Sequence, residues 1–225
     1  SPIRLRCASP TCHPNPERNT SLASTRNRED TAALLLAAVG EVLARDGFGG
    51  IGVNAIARQA GVDKVLIYRY FGGLPGLVTA WSASGRFWPD LTELLGADGG
   101  ASLRARPLAE RYGLFFDHFI DQLRQRPLTI EILAAEIAER TELTVVLETE
   151  RERWGEQAFT MLGGSDIEQV PELRHVTLLL VAGVQYLLVR ARTIRVFGGV
   201  QLQSDDDWNQ IKASIRAMAT RMLPS

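Results

Sequence analysis

The residue types most often used for catalysis or metal binding are sparse and poorly spaced in this chain of 225 residues. Cys7, Cys12 and His13 supply too few ligands for a tetrahedral zinc site, and two cysteines are too few for a disulfide framework. His118 and the pair Glu136 and Glu139 form no recognisable catalytic group. The sequence contains no Gly-x-Ser-x-Gly elbow and no phosphate-binding glycine loop. We therefore expect a protein that is not an enzyme and that has neither a metal site nor a cofactor.

A different chemistry, contact with nucleic acid, is indicated by the spacing of small and apolar residues between Val53 and Tyr70. Two short helices that cross at a tight turn need a small residue where they touch, which is Ala57. The turn itself needs a residue that tolerates positive φ, which is Gly61. Apolar residues are needed just after the turn and midway along the second helix, and Val62 and Ile67 stand there. These offsets predict a helix-turn-helix.

The overall composition is that of a soluble globular protein, with 45% hydrophobic and 23% charged residues. The formal net charge is −1, so any contact with DNA must come from a local basic patch. The longest apolar stretch, from Val176 to Val189, is shorter than the roughly 20 residues that span a bilayer. No secretory signal is recognised. We expect a cytoplasmic protein without a membrane partner.

Elements that position these residues are predicted to be helical, and the fold class is predicted to be all-α. Apolar residues recur at helical spacing from Arg28 onward, whereas the alternation of a half-buried strand is hard to find. Four helices are predicted before residue 96, with Val53–Ala60 as the second and Asp63 as the N-cap of the third. Long helices follow, and the last two are predicted from about Glu172 to Phe197 and from about Asp205 to Leu223.

Three regions are predicted along the chain. Residues 1–26 hold four of the ten prolines and have no helical or strand period, which indicates a disordered leader. Residues 27–74 contain the helix-turn-helix and form the predicted DNA-binding domain. Residues 75–225 form the predicted helical domain for ligand binding and dimerisation.

From Arg28 to Leu77 the chain resembles the TetR family of repressors. The resemblance is carried by Val53-Asn54-Ala55-Ile56-Ala57, by Ala60-Gly61-Val62 and by Ile67-Tyr68-Arg69-Tyr70-Phe71. The aromatic run Tyr-x-Tyr-Phe shortly after Ala-Gly-Val is specific to that family. The match covers about fifty of the 225 residues.

The resemblance implies roles for the residues of the third helix. Lys64 would open the recognition helix and meet phosphates or base edges, and Arg69 would reach phosphate or guanine. Tyr68 and Tyr70 would bind phosphates through their hydroxyls or, in the alternative, pack as half-buried residues. Phe71 would lie in the core. The candidate DNA-binding residues are Asn54, Asp63, Lys64, Val65, Tyr68, Arg69 and Tyr70.

Three departures from the family pattern weaken the predicted contact with DNA. Ile51 and Gly52 stand where the family usually has a hydroxyl residue before the second helix, so a phosphate contact is lost there. Val65 and Leu66 replace small or polar residues, and one of them could contact a thymine methyl. Leu74 stands where lysine is frequent. Basic residues exceed acidic ones by only two between positions 26 and 86, which predicts weak electrostatic affinity.

The last two predicted helices indicate a homodimer. The final helix has apolar residues at alternating steps of three and four, the pattern of a packed seam, and the helix before it is apolar on more faces than one neighbour could cover. Pairing with a symmetry mate would bury both in a four-helix bundle; the alternative is a bundle within one chain. The candidate interface residues are Leu179, Tyr186, Trp208, Ile211, Ile215, Met218 and Met222.

The middle helices are rich in aromatic residues that could line an apolar cavity for a small molecule or could simply be core. The candidate pocket residues are Trp81, Phe115, Phe116, His118, Phe119, Trp154 and Tyr186. Together these features predict a ligand-responsive transcription regulator, most simply a repressor that binds a palindromic operator as a homodimer. Its partners would be double-stranded operator DNA and a small-molecule effector. The alternative is a helical dimer of the same fold that has lost DNA binding and that binds small molecules or proteins.

Overall fold

The computed structural model describes residues 16–86, 88–98, 100–168 and 170–223. The described residues are mostly helical, so the predicted all-α class is confirmed. We refer to the predicted DNA-binding domain, residues 27–74, as the head and to the described residues after Trp81 as the body. The α-helices of the described residues are α1 Pro16–Asp46, α2 Val53–Ala60, α3 Val65–Phe71, α4 Leu74–Trp81, α5 Leu91–Leu95, α6 Ala101–Arg104, α7 Leu108–Arg124, α8 Pro127–Ala138, α9 Glu142–Gly163, α10 Leu173–Ala191 and α11 Asp205–Met222.

The first helix begins earlier than predicted. The structure places residues 16–26 in α1, so this part of the expected disordered leader is corrected to helix. Residues 17–27 contain neither proline nor glycine, and nothing in that stretch breaks a helix once residues 28–46 have nucleated it. Residues 1–15, including Cys7, Cys12 and His13, lie outside the described residues.

Buried apolar side chains of α1 form the centre of the head. Leu35, Val39 and Val42 are fully buried, and they pack with Ile56 of α2 and Ile67 of α3. The residues of α1 recur at steps of three and four, which puts them on one helical face. This face holds α2 and α3 in place and leaves the opposite side of α3 free.

The body is built around α7, whose buried face carries Tyr112, Phe116 and Phe119. The last helix, α11, packs along α7. Three ion pairs join the helices: Lys212 Nζ lies 2.8 Å from Asp121 Oδ1, Arg216 Nη1 lies 2.6 Å from Asp117 Oδ1, and Arg124 Nη2 lies 2.5 Å from Asp205 Oδ1.

This packing corrects the predicted seam of α11. Trp208 and Ile215 are buried within the single chain, and the Trp208 indole donates a hydrogen bond of 2.9 Å to the carbonyl of Leu202. Ile211 is partly buried against the same core. The alternating apolar pattern of α11 is therefore explained by its contact with α7. Packing within one chain and packing between two chains produce the same spacing, so the sequence could not distinguish them. Only Met218 and Met222 of the predicted seam are exposed.

The helix α10 ends earlier than predicted, at Ala191 rather than near Phe197. A two-stranded hairpin follows, with β1 Val196–Phe197 antiparallel to β2 Val200–Gln201. Gly198 and Gly199 have φ values of 57° and 87°. Two consecutive glycines with positive φ make the tight turn of this hairpin.

Most of the apolar surface of α10 is uncovered in the single chain. Leu173, Val184 and Leu188 are its buried residues, whereas Leu179 is 72% exposed and Tyr186 is 46% exposed. Among the described residues, α10 is the one helix long and apolar enough to cross a membrane by length and composition alone. That criterion is weak, because helices that pack against protein also meet it.

Candidate DNA-binding interface and ligand cavity

The turn between α2 and α3 has the geometry that the sequence predicts. Gly61 lies in the left-handed region, with φ 66° and ψ 29°. Its N–H donates a hydrogen bond of 3.3 Å to Arg58 O, and the N–H of Val62 donates one of 3.1 Å to Ala57 O. These bonds satisfy carbonyls at the end of α2 and turn the chain sharply into α3.

Asp63 was predicted to be the N-cap of α3; the residue directly before the helix is Lys64, and Asp63, one position earlier, still bonds its first turn. Its Oδ1 accepts a hydrogen bond of 2.8 Å from the N–H of Val65. This bond satisfies one of the free donors at the helix N-terminus. Because the carboxylate is used within the head, Asp63 acts there by placing its neighbours Lys64 and Val65.

The outer face of α3 carries most of the predicted DNA-binding residues. Val65 is 59% exposed and Tyr68 is 57% exposed, one helical turn apart. Lys64 and Arg69 are exposed beside them, and Asn54 is exposed on α2. The inner face is occupied by Ile67, which is buried, and by Leu66, which is half-buried. The structure therefore gathers these polar and apolar groups on one solvent-facing surface.

Tyr70 occupies a different environment from Tyr68. It is half-buried, and the guanidinium of Arg28 lies 5.3 Å from the centre of its ring. This cation–π contact joins α3 to the start of the head. The packing alternative for Tyr70 is thus supported by its burial. Phe71 is partly buried against the core, as the resemblance implies.

A cavity of about 490 Å³ lies in the body between α7, α9 and α10. Its aromatic wall includes Trp88, Phe115, Trp154 and Phe159. Trp88 and Trp154 are stacked with ring centres 5.1 Å apart. The Trp154 indole also donates a hydrogen bond of 2.9 Å to Pro89 O, which fixes the ring.

The predicted pocket residues divide into three groups. Phe115 and Trp154 line the cavity. Trp81, Phe116 and Phe119 are buried core residues and line none of the cavities described here. His118 is exposed, with Nδ1 3.0 Å from Leu94 O, and Tyr186 is exposed with its ring against Phe197.

The expectation that all seven residues line the cavity is therefore corrected. Aromatic content could not separate the two sides of α7, because both sides carry aromatic residues. Trp88, Phe159 and Arg174 line the cavity and were missed. Their signal is weak in the sequence, since the three residues come from separate segments of the chain.

A smaller cavity of about 280 Å³ adjoins the first and shares Arg151 and Gln185 with it. It is lined by Glu136 of α8, whose side chain is only 8% exposed. One Glu136 oxygen accepts a hydrogen bond from Arg151, and the other, Oε1, is buried without a hydrogen-bond partner in the described chain. Burial raises the pKa of Glu136 to about 7, against the opposing effect of Arg151.

Helix α4 connects the head to the body. It packs against α1 and α3 on one side and against α9 on the other. Trp81 at its end is 1% exposed. A π-helical segment, Ser82–Arg86, follows directly and leads to Trp88 in the wall of the larger cavity. The cavity and the head are thus joined by one short stretch of chain.

Among the described residues, no group of three or more His, Cys, Asp or Glu side chains is placed to hold a metal ion.

Comparison with known proteins agrees with this architecture. The model of the family described as bacterial regulatory proteins, tetR family, matches residues 35–80. That range covers most of the head and nearly all of α4. No curated protein matches the chain.

Several solved structures share the fold over most of the chain. The fatty acid degradation regulator FadR from Bacillus halodurans has a TM-score of 0.57 and 14% identity, covering 83% of this chain and 96% of that one. NalD, the secondary repressor of the MexAB-OprM multidrug efflux pump in Pseudomonas aeruginosa, has a TM-score of 0.56 and 19% identity, covering 88% and 98%. A TetR-like transcriptional regulator from Rhodococcus sp. RHA1 has a TM-score of 0.53 and 19% identity, covering 86% and 94%.

Proposed function

We propose that the chain, a regulator of the TetR family, is a cytoplasmic repressor that binds a palindromic operator as a homodimer and releases it when a small molecule enters the body. The observation that carries the proposal is the outer face of α3. Lys64, Val65, Tyr68 and Arg69 are all solvent-exposed there, whereas Ile67 anchors the opposite face in the core.

The chemistry of that face suits a major groove. Lys64 and Arg69 provide the positive charge that phosphates or guanine edges attract, and the hydroxyl of Tyr68 can donate to a phosphate. Val65 offers an apolar surface to a thymine methyl. Leu66 is half-buried and contributes to packing, so Val65 is the residue we assign to that contact.

A homodimer is supported by the uncovered face of α10. Leu179, Gly183 and Tyr186 lie at steps of four and three and share one side of the helix. Two of them are large exposed apolar residues. A side chain at Gly183 would meet no atom within 4 Å in the single chain. We infer that the same helix of a second copy covers this face, since a two-fold partner presents a complementary surface.

Regulation by a ligand is proposed to act through α4. A molecule that displaces Trp88 in the cavity wall would pull on Ser82–Arg86 and hence on α4, which is packed against both α1 and α3. In the dimer, a shift of each α4 would change the distance between the two recognition helices. DNA release then follows, because the two heads must stay about one DNA turn apart to bind both half-sites.

The test is DNA binding by variants of the outer face of α3. Lys64→Ala and Arg69→Ala should each weaken binding to the promoter region of the protein's own gene, measured by fluorescence anisotropy. Each should also reduce the slope of log affinity against log salt by about two, because the homodimer loses one phosphate contact from each of its two copies.

The matched control for this test is Arg106→Ala, which removes an exposed arginine of the body that pairs with Glu110. It should leave both the affinity and the salt slope unchanged. Unchanged binding in Lys64→Ala and Arg69→Ala would defeat the assignment of the interface. Absence of specific binding by the folded wild-type dimer would favour the other candidate, a dimer without DNA binding, which the departures at Ile51 and Leu74 suggest.

A further inference from the structure

The two adjoining cavities of the body differ in chemistry. The larger one has a wall of aromatic rings, and the smaller one is bordered by charged side chains. Around the smaller cavity, Arg151 bonds both Glu136 and Glu152, while Arg140 bonds Glu148 at 2.7 Å. Across the two cavities the lining carboxylates are Glu136, Glu148, Glu152 and Glu156 and the lining guanidiniums are Arg140, Arg151 and Arg174, which leaves one carboxylate in excess.

Among the charged side chains around the smaller cavity, Oε1 of Glu136 is an acceptor that receives no hydrogen bond. It is buried and has no hydrogen-bond partner in the described chain, although its side chain lines the cavity. A buried polar oxygen without a partner costs free energy, and a donor or a positive charge placed beside it would remove that cost. Arg151 already bonds the other carboxylate oxygen, so Oε1 is the acceptor that remains for a molecule bound in the cavity.

A glycine of α9 leaves space in the wall of the larger cavity. Gly155 lies inside a helix of 22 residues, although glycine in a helix interior costs about 1 kcal/mol relative to alanine. A side chain at this position would meet no atom within 4 Å, so packing within the chain does not require the glycine. Its absence of a side chain keeps the space beside Trp154 and Glu156 empty.

We propose that the two cavities form one effector site that selects a flat aromatic cation. The rings would lie along the aromatic wall of the larger cavity, where Arg174 already lies 4.4 Å from the centre of the Phe159 ring, and the positive charge would lie beside Glu136. Aromatic faces attract cations as well as apolar rings, so both walls favour the same kind of molecule. An anion would meet the excess of carboxylates and is disfavoured. This inference rests on the proposed function as a ligand-responsive regulator.

The test uses two fluorescent probes with the full-length protein in the absence of DNA. Thioflavin T is a flat aromatic molecule with a fixed positive charge, and anilinonaphthalene sulfonate is an aromatic anion. Wild-type protein should bind thioflavin T at least about tenfold more tightly than the anion. Glu136→Gln should weaken thioflavin T binding by about tenfold or more and leave the binding of the anion unchanged or tighter.

The pH dependence gives a second measurement on the same variants. Protonation of Glu136 removes its charge, so thioflavin T affinity should fall as the pH is lowered from about 8 to about 6. The charged groups beside it are Arg140, Glu148, Arg151 and Glu152, and the residue of α10 that lines this cavity is the neutral Gln185. In Glu136→Gln this dependence should disappear.

Two further variants separate charge from folding. Glu110→Gln removes an exposed glutamate that also pairs with an arginine, and it should change neither probe. Gly155→Leu should narrow the larger cavity and weaken the binding of both probes while the thermal unfolding temperature stays the same or rises.

Equal affinity for the two probes, or thioflavin T binding that Glu136→Gln leaves unchanged, would overturn the inference. Protein that binds promoter DNA but not thioflavin T would overturn it without affecting the proposed DNA binding. Protein that binds thioflavin T selectively but no DNA would support this inference and count against the proposed function.

Discussion

A Gly183→Arg variant is expected to sediment as a monomer and to lose operator affinity by a factor of roughly 100 or more. The reason is the position of Gly183 on the face of α10 that carries the exposed Leu179 and Tyr186. In a dimer, each of the two arginines would be buried opposite an apolar surface without a partner charge, which is costly. Loss of the dimer lowers the affinity, because two linked heads bind DNA about 10² to 10⁴ times more tightly than a single head does.

Analytical ultracentrifugation gives the oligomeric state of this variant, and fluorescence anisotropy with promoter DNA gives its affinity. Thr160→Arg is the control, since it adds the same charge at an exposed position of α9. It should remain dimeric. A dimeric Gly183→Arg with full DNA affinity would show that another surface joins the two chains.

A Trp81→Ala variant is expected to lose about 3–5 kcal/mol of the free energy of unfolding, the usual cost of removing a large buried aromatic residue. Trp81 is among the largest fully buried side chains of the chain. Its indole lies close to Gly40 of α1: a Cβ atom at Gly40 would be 3.5 Å from Nε1. The loss would loosen α4 on the head, so the remaining folded protein should also respond less to an effector.

Urea unfolding followed by circular dichroism measures this free energy. Tyr68→Ala serves as the matched control, because it also removes an aromatic ring, but from an exposed position of α3. Its free energy of unfolding should stay within about 0.5 kcal/mol of the wild type. Equal stability of Trp81→Ala and the wild type would contradict the role of α4 as the packed link between head and body.

Local rules were enough to predict the head from the sequence. Gly61 marks the turn because positive φ restricts the choice of residue, and Asp63 marks the start of α3 because its side chain satisfies a free N–H. The predicted second helix agrees with α2, Val53–Ala60, at both ends. These signals act over a few residues, and the chain around them leaves few other conformations.

The body was predicted less well, because its arrangement depends on contacts between distant residues. The spacing of Trp208 and Ile215 showed that α11 packs against a helix, but it could not show that the helix is α7 of the same chain. The end of α10 was missed because the apolar residues Ile194, Val196 and Phe197, which follow its true end at Ala191, were included in the predicted helix. The helix α5 was also missed, although Asp90 and Glu93 form a capping box at its start.

The two candidate sites also differ in whether local spacing or contacts between distant residues determine them. The exposure of Lys64, Tyr68 and Arg69 follows from helical spacing once Ile67 is placed in the core. The ligand cavity could not be predicted in this way, since Trp88, Phe159 and Glu136 come from separate elements. The unpartnered oxygen of Glu136 in particular is a feature of three-dimensional packing and leaves no pattern in the sequence.

The central claim is that two copies of α3 bind two half-sites of one operator. Nuclease footprinting of wild-type protein on the promoter region of its own gene tests it most directly. The account predicts two symmetric protected half-sites with centres about 34 Å apart, one turn of DNA, and the loss of both in a Lys64→Ala, Arg69→Ala double variant. Folded dimer that leaves this DNA unprotected, or protection that the double variant retains, would contradict it.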